Sequence, residues 1–358
     1  MAEGFITRRG GVGAAERTAI PSLTLVEKDF QSITVTFTNN DDEEATIFYG
    51  LTTPPDDDSV VLASNATSSN ITFSGLDDDT QFTIFAYALA DPISKKIKSE
   101  ITAIQVTTDE SFNPADLNPQ LWLDAADATT ITASNGKVSQ WNNKGSLGNF
   151  TQSSSGSQPT TGVSTLNGLN VLDFSQDVLR AVNQNEWKFL NDGLNKYEVF
   201  IVMKNTNLGQ LNSVLCNTRH AFRHGIDIAV EARGNERFFN HIVTTTAAFV
   251  VRNLSENNYV NDDTWTIFSA YGDLTNATLS DRSEIRKNNN NLVKNNDRSA
   301  TAANTNPQDP LEVGGGGNGN FPFSGSMAEI IIISGATATS QNRNDIYNYL
   351  SNKWGITI

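Results

Sequence analysis

The chain holds one cysteine, Cys216, in 358 residues. That excludes an intrachain disulfide framework and any multi-cysteine zinc or iron–sulfur site, so stability has to come from packing. No run approaches the roughly 18–20 apolar residues that a membrane helix needs. The opening Met-Ala-Glu-Gly-Phe-Ile-Thr-Arg-Arg-Gly-Gly lacks the apolar core of a secretory signal. Neither membrane insertion nor Sec export is therefore expected. Positive charge is also scarce: 25 Lys and Arg stand against 40 Asp and Glu, a net −15. An acidic chain without a basic patch repels the phosphate backbone, so nucleic acid is not an expected partner.

What is abundant is Asn, Ser and Thr, almost a third of the residues, while Met, Gln and Lys are few. Thr favours strands and Asn and Ser favour turns, so the expected class is all-β with many loops. The charge is uneven: residues 1–110 carry −11 and the rest −4. The polar, Pro-marked stretch 110–118 is the expected linker between two domains. Residues 1–20, with four glycines and three arginines, have no periodicity and are expected to be a flexible arm.

From residue 22, short alternating or β-branched runs recur at 22–26, 32–37, 45–49, 59–62, 70–73, 82–87 and 101–106, separated by acidic or Gly/Pro turns. Seven short strands in about 90 residues fit an immunoglobulin-like sandwich. The segment Gly75-Leu76-Asp77-Asp78-Asp79-Thr80-Gln81-Phe82, followed by Ala86 and Ala88, resembles the E–F corner and F strand of a fibronectin type III domain, placed at 21–109. Phe82 stands where that family usually has Tyr, and Phe37 where it has Trp, so the corner hydroxyl is missing. The acidic clusters Asp41–Glu44, Asp56–Asp58 and Asp77–Asp79 fall in its loops. Their alternatives are solvation of the loops and a Ca²⁺ site of converging carboxylates.

Residues 119–358 suit a large sandwich. Leu121-Trp122-Leu123-Asp124-Ala125, Val138-Ser139-Gln140-Trp141-Asn142-Asn143-Lys144-Gly145 and Gly168-Leu169-Asn170-Val171-Leu172-Asp173-Phe174 resemble, in this order, the start of a concanavalin A-like jelly roll of the laminin G-like kind. Phe323–Ile333 resembles its closing strand, and residues 340–355 its terminal helix. In that helix Ile346, Leu350 and Trp354 recur at i, i+4 and i+8, with Ser340 as the expected cap and Gly355 as the left-handed stop.

Chemistry is sparsely signalled. The E-x-D-x-x-E strand of glucanases in this fold is absent, and no G-x-S-x-G or Gly-rich Lys-Ser/Thr phosphate loop occurs. Glycoside hydrolysis needs two carboxylates at a defined separation. Glu231 and Glu236 would lie on opposite faces of a single strand. His220, His224 and His241 are the only histidines; surface positions and a Zn²⁺ site are the alternatives. Trp187, Tyr259 and Phe321 suit either sugar stacking or packing. No catalytic, cofactor or metal residue is therefore assigned.

The opening MAEGFITRRGG resembles the N-terminus of many tailed-bacteriophage virion proteins. With the two domains, this resemblance implies a non-enzymatic virion surface protein, made in the host cytoplasm and displayed on the particle. Phe5, Arg8 and Arg9 would anchor the arm among other capsid, tail or fibre proteins, and the jelly roll would meet host-surface glycan. A receptor-free decoration or head-fibre protein and a carbohydrate-active enzyme or its binding module are the alternatives. A homo-oligomer fits that setting, although no heptad pattern imposes one.

Overall fold

The computed structural model describes residues 15–42, 44–56, 68–90, 95–206, 211–218, 223–234, 236–316 and 321–358. They form two compact all-β units, divided between Ser111 and Phe112.

The first unit contains β1 (Ser22–Lys28), β2 (Ser32–Thr38), β3 (Ala45–Leu51), β4 (Ser68–Ser74), β5 (Gln81–Ala90) and β6 (Thr102–Thr107). The expected strand at 59–62 lies outside the described residues. Two antiparallel sheets, β1-β2-β4 and β3-β5-β6, make an immunoglobulin-like sandwich. Alternate residues Ile33, Val35, Phe37, Ile47, Ile84, Ala86 and Ala88 fill its interior. Phe37 takes the central aromatic place, 5.2 Å from Tyr49.

The corner is secured without a tyrosine. Buried Thr108 donates its hydroxyl to the Asp77 carbonyl at 2.7 Å and accepts the Thr80 N–H at 3.0 Å. Gly75, at φ 72°, makes the turn that leads into it.

The expected flexible arm 1–20 needs correction at its base. Thr18 is 2% exposed. Its N–H and hydroxyl bind the Ile97 carbonyl, it accepts the Ala90 N–H, and Ala19 N–H binds Asp41. Phe5, Arg8 and Arg9 lie outside the described residues.

The larger unit contains β7 (Leu121–Asp124), β8 (Ile131–Ser134), β9 (Lys137–Trp141), β10 (Phe150–Thr151), β11 (Thr160–Leu166), β12 (Leu169–Ser175), β13 (Leu179–Ala181) and β14 (Tyr197–Asn205). It continues with β15 (Leu211–Cys216), β16 (Gly225–Arg233), β17 (Glu236–Thr244), β18 (Phe249–Leu254), β19 (Thr266–Gly272), β20 (Ser283–Lys287), β21 (Asn290–Val293), β22 (Glu312–Val313), β23 (Ser324–Ser334) and the helix α1 (Ser340–Trp354). One layer runs β21-β20-β19-β14-β23, with β7 and β12 sharing the far edge of β23. The other runs β18-β17-β16-β15-β22-β13-β10-β9. The layers are joined through β11, which pairs with both β12 and β9. This is a jelly-roll-type sandwich with a short C-terminal helix.

Its main core lies between the layers, where Val199, Ile201 and Met203 of β14 face Ile226, Ile228 and Val230 of β16. The intervening Phe200 and Val202 point outward, where Ile346, Tyr347, Leu350 and Trp354 of α1 cover them. Each of these side chains is fully buried, a burial worth about 1.5–3 kcal/mol per large apolar group. Thr339, not Ser340, caps the helix: it has extended backbone angles and its hydroxyl accepts the Asn342 N–H at 3.2 Å. Gly355, at φ 66°, ends it. The expected linker 110–118 is likewise absorbed: Phe112 and Leu117 pack into the helix-side cluster, with Phe112 6.4 Å from the Tyr349 ring.

Candidate functional site

The sequence motifs of the larger unit, far apart in the chain, converge on Glu329. Its side chain is fully buried on β23 beneath α1. Its Oε1 accepts the Trp122 indole N–H at 2.6 Å and the Tyr349 hydroxyl at 2.9 Å. Its Oε2 accepts the Trp354 indole N–H at 2.7 Å and pairs with Lys353 Nζ at 2.7 Å. Burial outweighs these partners and holds the carboxyl above its ordinary range. Directly opposite on β7, Asp124 pairs with Lys353 at 2.8 Å and with Lys144 at 3.1 Å. Lys144 also sits 4.0 Å over the Trp122 ring. At the other end of α1, Arg343 pairs with buried Glu198 of β14 at 2.7 Å, and Ser269 donates to the same carboxylate. Two buried carboxylates thus clamp the helix to the sheet.

The two described histidines, His224 and His241, do not form a site. His241 of β17 is fully buried between the layers, its Nε2 2.9 Å from the Tyr197 hydroxyl and its Nδ1 2.7 Å from Ser283 Oγ. Both ring nitrogens are engaged, and burial depresses its pKa to about 3, so it is neutral. His224 is half-buried just before β16, and His220 lies outside the described residues. Among the described residues no group of three His, Cys, Asp or Glu side chains is arranged to hold a metal.

Two of the acidic loops of the first unit, those holding Asp41–Asp42 and Asp77–Asp79, do not meet either. β2 and β4 are paired from Ser32–Ser74 to Thr38–Ser68, so the β2–β3 and β4–β5 loops leave from opposite ends. Asp41 and Asp42 both pair with Lys96, while Asp78 accepts from Ser111. Asp57 and Asp58 lie outside the described residues. Of the aromatic candidates, Trp187 is fully buried, Tyr259 is 8% exposed and donates to the Asn291 carbonyl, and Phe321 is 38% exposed.

The remaining candidate is the outer side of the second layer, opposite α1, where Glu312, Cys216, Asp227, Ile242 and Asn240 are buried and Arg180 and Arg233 are partly exposed. One row across it runs Arg180, Glu312, Cys216, Asp227, Ile242 and Arg252, read from paired positions on β13, β22, β15, β16, β17 and β18. Cys216 donates to the Thr218 carbonyl at 2.9 Å, and burial, followed by the nearby Asp227 carboxylate, pushes its thiol up. It is a neutral thiol, not a nucleophile.

Toward the β16–β17 turn, Glu231, Arg233, Glu236, Phe238 and Asn240 share this face. Glu231 and Glu236 are on different strands, so the single-strand argument from their spacing does not apply. Arg233 pairs with Glu231 at 2.7 Å and lies 5.0 Å over Phe238, and Asn240 donates to Glu231 at 2.7 Å. Arg180 is oriented by fully buried Glu312 in the same way, at 2.7 Å. Each of these two arginines donates to its glutamate through Nε. Composition gives little sign of this arrangement, because it arises from cross-strand register. A charged residue inside an otherwise apolar strand, such as Asp227 or Glu329, is the sequence signal.

No family model matches the chain, and no curated protein matches it. Among solved structures, it is similar to a β-sandwich protein from a computer-based redesign, with 19% identity, 26% of this chain and 94% of that chain covered, and a TM-score of 0.21. It is also similar to a botulinum neurotoxin type C structure described for its interaction with two ganglioside molecules, with 10% identity, 66% of this chain, 53% of that chain and a TM-score of 0.35. The chain spans about half the length of the toxin chain. The fold assignment rests on the sheets themselves.

Proposed function

We propose that this protein is a non-enzymatic surface component of a tailed-bacteriophage particle that displays the larger sandwich toward host-surface glycan. The observation that carries the reading is the path of the chain. In the first unit it arrives beside Asp41, Ala90 and Ile97, and leaves beside Asp29, Thr80 and Asp109, at opposite ends of the strands. A ten-residue strand such as β5 spans roughly 30 Å, so the unit works as a spacer. In the larger unit the chain begins on the helix-covered face, through Phe112 and Leu117. Within the larger unit, the outer side of the second layer lies across the sandwich from that helix-covered face.

That outer side of the sandwich presents two planar guanidinium groups of the kind that sugar recognition uses, Arg233, stacked 5.0 Å over Phe238, and, several strands away, Arg180, each held by a glutamate. Residues 1–14, with Phe5, Arg8 and Arg9, are assigned the anchoring role among other virion proteins. Deleting 1–14, which spares Thr18, should abolish incorporation into particles; normal incorporation would overturn the anchoring role.

A second reading, a decoration protein without a receptor, is favoured by the Glu329 centre, where the family-like motifs serve packing alone. Binding of the full chain to host cells separates the two. Release of reducing sugar from cell-surface polysaccharide would instead support an enzyme.

A further inference from the structure

Lys353, Asp124 and Glu329 meet at one point in the larger unit. Lys353 Nζ is 2.8 Å from Asp124 Oδ1 and 2.7 Å from Glu329 Oε2. The two acids come from directly paired positions of β7 and β23, and the lysine from the last turn of α1. Asp124 is 4% exposed and Glu329 0%, so amine and carboxyl meet away from bulk water. Lys144 holds the other Asp124 oxygen, Oδ2, at 3.1 Å. The indoles of Trp122 and Trp354 and the Tyr349 hydroxyl fix Glu329 in position.

We propose that Lys353 and Asp124 join in an intramolecular isopeptide bond, Nζ to Cγ, with Glu329 carrying the protons. The ammonium of Lys353 gives up a proton, through Glu329, to the Asp124 carboxylate. The free amine then attacks the Cγ of the neutral carboxyl, and the charge developing on Oδ2 lies against the Lys144 ammonium. Glu329 takes the second proton from nitrogen and passes it to Oδ1, which departs as water. One C–N bond forms, one C–O bond breaks, and no oxidant or co-reactant is consumed.

Three features favour this step over a plain ion pair. The reacting groups are held in contact by a helix docked through Ile346, Leu350 and Trp354, which supplies proximity without a binding step. The buried carboxyl of Glu329, raised by its surroundings, suits a group that takes up and returns a proton. The second lysine occupies the position that polarises the carbonyl. Lys144 itself is not the nucleophile, because its partners are Asp124 and the partly exposed Asp127, and Glu329 does not pair with it. The product would tie the first strand of the unit to its terminal helix and close the sandwich covalently.

Mass spectrometry of the purified full chain, intact and after digestion, tests this. The expected mass is lower than that of the sequence by one water, about 18 Da, with a branched peptide linking Asp124 to Lys353. K353R keeps a cation beside Glu329 and should show the full mass; E329Q should show the link lost or strongly slowed. Separate linear peptides with unmodified Asp124 and Lys353 in the wild type would overturn the bond. A link forming in E329Q at the wild-type rate would overturn the role of Glu329.

Discussion

The Tyr197 hydroxyl and the His241 ring, on opposite layers of the larger sandwich, are joined at 2.9 Å within its interior. Ser283 closes the other side of the ring at 2.7 Å and receives Asn253 Nδ2 at 3.1 Å, so the bridge is fully partnered. A neutral imidazole, with one donor and one acceptor, meets both hydroxyls.

This bridge predicts a pH dependence. His241 titrates near 6.5 when unfolded and at about 3 when folded, because burial opposes its charge. Its stabilising effect is complete above pH 6.5. As pH falls from 6.5 toward 3 the unfolded chain binds the extra proton, and stability drops by roughly 1.4 kcal/mol per pH unit. Denaturant midpoints of wild type and H241Q between pH 7 and pH 4 should converge as pH falls; a constant difference would contradict the assignment.

Gly272 is opposite Tyr197 in the β14–β19 pair, and a Cβ there would fall on the tyrosine ring. G272A should destabilise the chain by roughly 1–3 kcal/mol through overpacking. It should also shift the titration of His241, followed by its ring proton resonances. An unshifted titration would uncouple the glycine from the bridge.

Arg343 and Glu198 are the second test of buried charge. R343M leaves a fully buried carboxylate without its cation, a loss of roughly 3–5 kcal/mol. The double variant E198M/R343M should recover much of it, since two apolar groups can replace a buried pair at little net cost. Equal losses in single and double variants would mean that the pair itself supplies the stability.

Thr108 takes over the corner that Phe82 leaves without a hydroxyl. T108V keeps the shape but strips the Thr80 N–H and Asp77 carbonyl of their partner, costing roughly 1–3 kcal/mol. Hydrogen exchange of the Thr80 amide should accelerate in T108V; unchanged protection would show that the contact carries no stability.

Local pattern made the strands legible. Period-two alternation marks β2 and β5, and apolar spacing marks α1. Asparagine, a residue that tolerates positive φ, marks the β20–β21 hairpin, where Asn288, Asn289 and Asn291 adopt it. What sequence alone conceals is pairing at long separation. The corner hydroxyl comes from Thr108, 26 residues beyond the place where family comparison looks for it. Glu329 and Asp124 were visible as motif letters, but only sheet register sets them face to face. The helix cap moved one residue, to Thr339, because either hydroxyl satisfies the local rule and backbone angle decides between them.

The role proposed for the outer side of the second layer is recognition of host-surface glycan. The most direct measurement is binding of the purified full chain to isolated host cell-surface polysaccharide, compared with R180A/R233A and with the helix-side variant R343M. Saturable binding that falls at least about tenfold, a difference of roughly 1.4 kcal/mol, in R180A/R233A but persists in folded R343M is predicted. Absence of binding, or equal binding by all three chains, would contradict the account.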